Sequence, residues 1–107
     1  MSLFDMFKRP DINAGIEEFK KSENAILLDV RTSEEYREGH IEGSVNVPLQ
    51  SIQNVRTQIP DLNRKIYVHC LSGARSARAA STLKAMGYLD VTNIGGIDSY
   101  TGKVVKG

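Results

Sequence analysis

Two short apolar segments, each with a polar residue near its end, constrain the fold of this chain most strongly. Residues 25–30 read AILLDV and residues 65–69 read KIYVH. Continuous apolar runs of this length are typical of strands that are covered on both faces, as in a parallel sheet. Shorter strands are predicted at 45–47 and 91–94. Because the strands alternate with helical patterns in so few residues, we expect a compact α/β sandwich around a parallel sheet.

Helices are predicted in the segments between the strands, over residues 14–21, 50–58 and 76–86. Asn13 is the expected N-cap of the first of these helices. Thr32 and Glu35 stand at capping-box spacing and predict a further short helix, which Gly39 interrupts. Gly87 is the expected C-cap of the last helix.

The chain of 107 residues suits one domain, predicted over 12–107 after an N-terminal extension over 1–11. A formal charge of +1 gives no basic field for nucleic acid, so we expect no nucleic-acid partner. No stretch approaches the ~20 apolar residues of a membrane span, and the first ten residues lack the order of a secretory signal. These features favour the cytoplasm. The apolar residues of the extension are expected to cover an edge of the core: Leu3, Phe4, Met6 and Phe7.

Cys70 is the one cysteine of the chain, so an intramolecular disulfide is impossible. With only two histidines, His40 and His69, the sequence also offers too few ligands for a metal site. His69 precedes Cys70 on a predicted strand, where adjacent side chains point to opposite faces. We therefore assign His69 no catalytic role and expect His40 to be structural.

Cys70 stands where a strand ends and a helix follows, which is where ligands bind in α/β sheets. The segment 70–75, CLSGAR, can wrap so that its N–H groups surround one anion, and Arg75 adds a positive charge. A free thiol with a pKa of ~8.5 is only a few per cent ionised at pH 7, and a helix terminus lowers that pKa by roughly 0.2–1.5 units. Several N–H groups together with Arg75 could supply the remaining decrease in the thiol pKa that ionisation at pH 7 requires. The alternative is a small buried apolar residue, the common state of a free cysteine.

Several motifs of the sequence resemble the rhodanese-like domain family. Its N-terminal half resembles four motifs of this chain: LDVR at 28–31, EY at 35–36, GHIEGS at 39–44 and NVP at 46–48. CLSGARS at 70–76 looks like its active-site loop, and GG at 95–96 like its closing motif. The match covers roughly residues 12–100 in the family's order and spacing. The resemblance implies a rhodanese-like three-layer sandwich, in which a central parallel sheet is flanked by helices.

The same resemblance implies a sulfurtransferase of the single-domain thiosulfate type. Cys70 would be the nucleophile that carries sulfur as a persulfide, and Arg75 would anchor the loop and the anionic donor. A small-molecule sulfur donor and acceptor would be the partners, with a protein thiol as another acceptor. Carried over by position, the expected substrate-binding residues are Leu71, Ser72, Gly73, Ala74 and Ser76, with Arg31 as a further candidate.

Two other functions compete with this interpretation. Phosphatases of the same architecture have one more residue between cysteine and arginine, and the four residues between Cys70 and Arg75 form a tighter loop. A non-catalytic or sulfur-carrier module that acts through a protein partner is the other alternative.

Charged residues near the loop have both structural and functional interpretations. Asp29, Arg31 and Glu35 are expected to form a structural network that holds the loop, since buried charges need partners. Arg78 lies one helical turn beyond Arg75, either as a source of positive potential or as a solvated side chain.

Overall fold

The computed structural model describes residues 10–107, and within them the chain forms four α-helices and six strands. The helices are α1 (Ile12–Lys21), α2 (Ser33–Glu38), α3 (Val55–Gln58) and α4 (Ala74–Ala85). The strands are β1 (Ile26–Asp29), β2 (His40–Ile41), β3 (Ser44–Asn46), β4 (Lys65–Cys70), β5 (Asp90–Gly96) and β6 (Val104–Val105). In this part of the chain 3₁₀ turns also span Leu49–Asn54 and Ile97–Ser99. The apolar residues at 3, 4, 6 and 7 lie outside the described residues, so their role and the boundary at residue 12 stay predictions.

The central sheet has the strand order β3-β1-β4-β5, and each of its neighbouring pairs is parallel. Asp29 pairs in register with Asn46 on one side and with His69 on the other. The carboxyl ends of β1, β3 and β4 therefore meet at one edge, which is the edge where Cys70 ends β4. A second, antiparallel pair of β2 with β6 was not predicted from the sequence.

Apolar side chains cover both faces of this sheet. On one face Leu28, Val68 and Cys70 pack with side chains of α3 and α4, such as Leu83. On the other face α1 packs against Leu27, Tyr67 and Ile94. The predicted α/β sandwich of three layers, helix, sheet and helix, is confirmed.

One predicted helix feature was wrong, and another was right in extent but not in helix type. The N-cap of α1 is Asp11, whose carboxylate accepts from the N–H groups of Asn13 and Ala14, so the helix begins at Ile12. The side chain of Asn13 instead donates to Ser99 O, 3.0 Å away, and accepts from the N–H of Thr101. The helix predicted over 50–58 is a 3₁₀ turn, Leu49–Asn54, followed by the four residues of α3. Non-helical backbone at residue 51 breaks the continuity.

Other predicted boundaries moved by a few residues. The α4 helix begins at Ala74, two residues before the predicted start, and Gly87 follows its end with a φ of +107°. The β5 strand extends to Gly96, through the glycine pair noted in the sequence. The capping box of Thr32 and Glu35 at the start of α2 is confirmed.

Candidate active site

The turn from β4 into α4 forms the centre of the candidate site. Gly73 precedes the first residue of α4 with a φ of +103°, a conformation that favours glycine because it has no Cβ. In this conformation the Gly73 N–H donates to Sγ of Cys70 across 3.0 Å. Cys70 itself is fully buried. The loop therefore holds the one thiol of the chain at the N-terminus of a twelve-residue helix.

The surroundings of Cys70 stabilise its ionised form. Burial raises the pKa of the thiol, but the polar groups around the sulfur, namely the Ser76 hydroxyl and the N–H groups of Ser76, Gly73 and Ser72, outweigh burial. The net result is a pKa below the ordinary value for cysteine. The thiolate is the nucleophilic form of cysteine, so this arrangement suits attack by sulfur at neutral pH.

Arg75 is tied to α2 by a two-point ion pair. Its Nη1 and Nη2 donate to Oε1 and Oε2 of Glu35 across 2.7 and 3.0 Å. Hydrogen bonding from Arg75 is the largest cause of the low pKa of Glu35, about 2. The Oε1 atom also accepts from the N–H of Thr32, so one carboxylate joins the α2 cap to the Cys70 loop. Glu35 thus holds the loop as expected, but through Arg75 and not through Arg31.

Asp29 and Arg31 form a separate, buried pair. The Nη2 atom of Arg31 donates to Oδ2 of Asp29 across 2.8 Å and to Gly39 O across 2.7 Å. Arg31 is only 5 % exposed. The structure therefore gives Arg31 a structural role, and its contact with substrate stays a prediction.

His69 lies on the sheet face opposite to Cys70, as strand alternation predicts. Its Nε2 is 3.7 Å from Oδ2 of Asp29, and its Nδ1 is 3.1 Å from Cys70 O. Burial lowers the pKa of His69, against the opposing effect of Asp29, so its neutral form is favoured. His40 is also structural, because its ring stacks on Tyr36 with centroids 3.7 Å apart.

The end of β5 completes the loop with residues that the sequence analysis did not assign. The Asn93 Oδ1 accepts from the Ser76 hydroxyl across 2.7 Å and from the Gly95 N–H across 3.0 Å. A Cβ at Gly96 would overlap Leu71 O and lie 2.6 Å from the Ser72 Cα. The loop therefore packs directly against the backbone of Gly96, where there is no space for a side chain. The amide side chain of Asn93 in the middle of a predicted strand was the signal available in the sequence.

The other predicted residues occupy the rim of the loop. Leu71 is 44 % exposed, although its carbonyl accepts from the Asp98 N–H across 3.0 Å. Ser72, Ala74 and Arg78 are exposed as well. Their contacts with substrate stay predictions.

Two further features concern residues 10–107 only. No group of three or more His, Cys, Asp or Glu side chains in this part of the chain is placed to hold a metal ion. Within the same range, each helix is too short or too polar to cross a membrane.

A parallel sheet of order β3-β1-β4-β5, with a cysteine as the last residue of β4, defines an α/β domain of rhodanese type. The family model for the rhodanese-like domain matches residues 14–103. The chain belongs to the rhodanese-like domain family.

Individual relatives are similar over most of this chain. Thiosulfate sulfurtransferase PspE from Escherichia coli is 37% identical over 81 residues, which are 75% of this chain and 78% of that protein. The putative sulfur carrier protein YrkF from Bacillus subtilis is 38% identical over 88% of this chain, which spans about half (52%) of that protein. A solved structure described as a rhodanese with anions from E. coli superposes with a TM-score of 0.72 at 36% identity, over 78% of this chain and 99% of that chain.

Proposed function

We propose that this protein transfers sulfane sulfur from a donor such as thiosulfate to a thiophilic acceptor, cyanide or a thiol, through a persulfide on Cys70. The observation that carries the proposal is the hydrogen bond of 3.0 Å from the Gly73 N–H to the buried Sγ of Cys70, the only cysteine. The thiosulfate sulfurtransferase and the anion-bound rhodanese among its relatives support the same chemistry.

The proposed reaction has two displacement steps, as covalent catalysis requires. First, the Cys70 thiolate attacks the outer sulfur of thiosulfate, a new S–S bond forms, and sulfite leaves with the electron pair of the broken S–S bond. Second, the acceptor attacks the outer sulfur of the persulfide, and the electron pair of that S–S bond returns to Sγ. No external oxidant or reductant is needed, and no cofactor takes part.

The loop residues act on the negative charge that both steps carry. The N–H groups of Ser72, Gly73 and Ser76 stabilise the Cys70 thiolate, and they also favour the anionic persulfide that replaces it. Arg75 holds the loop in place through its two-point ion pair with Glu35.

Intact mass after brief exposure to thiosulfate tests the proposal. We expect a gain of about 32 Da, one sulfur atom, that cyanide removes and that Cys70→Ser abolishes. The absence of an adduct from thiosulfate, mercaptopyruvate and a low-molecular-weight persulfide would refute the proposal.

A protein thiol is a second candidate acceptor. The exposed side chain of Leu71, next to Cys70, offers an apolar contact at the rim of the loop, and one relative is named a putative sulfur carrier. Transfer of labelled sulfur from loaded protein to a second protein would support this acceptor if Leu71→Asp abolishes the transfer while Cys70 is still loaded.

The reducing cytoplasm, where free thiols persist, is the proposed location.

A further inference from the structure

A cleft of about 470 Å³ lies beside the Cys70 loop, and Arg75 is the one residue of its lining that enters the function proposed above. Its apolar side is formed by Val30, which follows β1, and by Leu49 and Ile52 of the 3₁₀ turn after β3. Its opposite side is α4, which contributes Arg75 and Arg78. The cleft therefore combines an apolar wall with a cationic wall next to the site of sulfur transfer.

The positive charge of this cleft belongs mainly to Arg78. The charge of Arg75 is offset by Glu35 through the two-point ion pair. Within residues 10–107, by contrast, the salt bridges do not include Arg78, and no carboxylate lines the cleft. The Arg78 side chain is exposed, so a molecule in the cleft can reach it.

A second cleft, of about 710 Å³, borders the loop on the side of Ser72 and Gly73 and has the opposite character. Carboxylates of Asp11 and Asp98 line it, and no Lys or Arg does so among the residues that the structure describes. An anionic molecule that approaches the loop is therefore attracted to the Arg78 side and repelled from the other side.

We infer that the Arg78 cleft selects small thiols that carry a carboxylate as the sulfur acceptors of this protein. The carbon chain of such a thiol would lie on Val30, Leu49 and Ile52, its carboxylate would face Arg78, and its sulfur would reach the loop. This inference rests on the proposed function. In the transfer step the acceptor thiolate bonds to the outer sulfur of the Cys70 persulfide, the S–S bond to Cys70 breaks, and Sγ takes its electron pair.

Single-turnover transfer from persulfide-loaded protein to 3-mercaptopropionate and to 2-mercaptoethanol tests the inference. A change in the reactivity of the persulfide affects both rates equally, so it cancels in the ratio of the 3-mercaptopropionate rate to the 2-mercaptoethanol rate. We expect Arg78→Ala to lower the ratio about two- to fivefold, the range for an exposed ion pair, and Arg78→Glu to lower it further. Arg78→Lys, which keeps the charge, should restore most of the ratio. The matched control is Lys84→Ala, which removes an exposed cation of α4 outside the cleft and should leave the ratio unchanged.

A binding measurement keeps this inference separate from the persulfide chemistry. We expect 3-(methylthio)propionate, which cannot react, to shift the backbone amide NMR signals of Leu49, Arg78 and Thr82, and to do so less in Arg78→Ala. These shifts would support the cleft even if no persulfide formed. Equal rate ratios in the wild-type and Arg78→Ala proteins, or shifts confined to the Asp98 side of the loop, would overturn the inference.

Discussion

Replacement of Glu35 by glutamine separates the charge of this residue from its capping role. Gln retains an oxygen that can accept from the Thr32 N–H, since Glu and Gln both serve in a capping box. It removes the negative charge that faces Arg75, together with one of the two oxygens at 2.7 and 3.0 Å. The variant therefore tests the ion pair that ties the Cys70 loop to α2.

The expected loss of stability follows from the pKa of Glu35. A fall of this pKa from 4.5 to about 2 corresponds to an upper limit of about 3 kcal/mol, at ~1.36 kcal/mol per pKa unit. The Glu35 and Arg75 side chains are 29% and 34% exposed, and solvent screening reduces the expected value to about 1 kcal/mol. Because the folded pKa is depressed, this contribution is complete above pH 4.5 and is lost as the pH falls through about 2.

Urea unfolding of the wild-type and Glu35→Gln proteins at pH 7 and near pH 2 measures this contribution. We expect a difference in the free energy of unfolding of about 1 kcal/mol at pH 7, and less than half of it near pH 2. Glu34→Gln is the matched control, because Glu34 lies in the same helical turn, is 72% exposed and faces Arg37 at 3.8 Å. It should change stability by less than about 0.5 kcal/mol. A difference for Glu35→Gln that stays constant between the two pH values would refute the reasoning.

Two further predictions concern the loop itself. Ser76→Ala removes a hydroxyl that lowers the pKa of Cys70, so we expect that pKa to rise, measured from the pH dependence of Cys70 alkylation; an unchanged pKa would assign the effect to backbone N–H groups alone. Gly96→Ala places a Cβ against Leu71 O, so we expect it to abolish persulfide formation and to cost about 2 kcal/mol or more. Gly39→Ala, with a Cβ 3.8 Å from its nearest neighbour, is the control, and equal effects of both changes would contradict this account.

The sequence predicted the features of this fold that depend on local periodicity. The segments around β1 and β4 were recognised because their apolar residues are consecutive and polar residues occur only near the strand ends, and the α2 cap because Thr32 and Glu35 satisfy it within one turn. The pairing of β2 with β6 was missed because each strand has two residues, which carry no periodic signal, and the strands are about sixty residues apart.

The candidate site was predictable where it is contiguous and not where it is assembled from distant segments. The loop from Cys70 to Ser76 is one stretch of sequence, so its position between a strand and a helix could be expected. The contacts of Asn93 with Ser76 and of Glu35 with Arg75 join residues 17 and 40 positions apart. Such partners are defined by tertiary packing, and single-sequence patterns do not contain that information.

The single, fully buried cysteine has a kinetic consequence for a sulfur-loaded protein. Where two thiols are neighbours, the second can displace sulfur from the first and close an internal disulfide. These 107 residues contain no second thiol, so discharge of the proposed Cys70 persulfide requires collision with an outside nucleophile. The residence time of the stored atom is then inversely proportional to the concentration of that nucleophile. The protein would therefore store one sulfur atom, and the concentration of the acceptor would set the rate at which that atom is released.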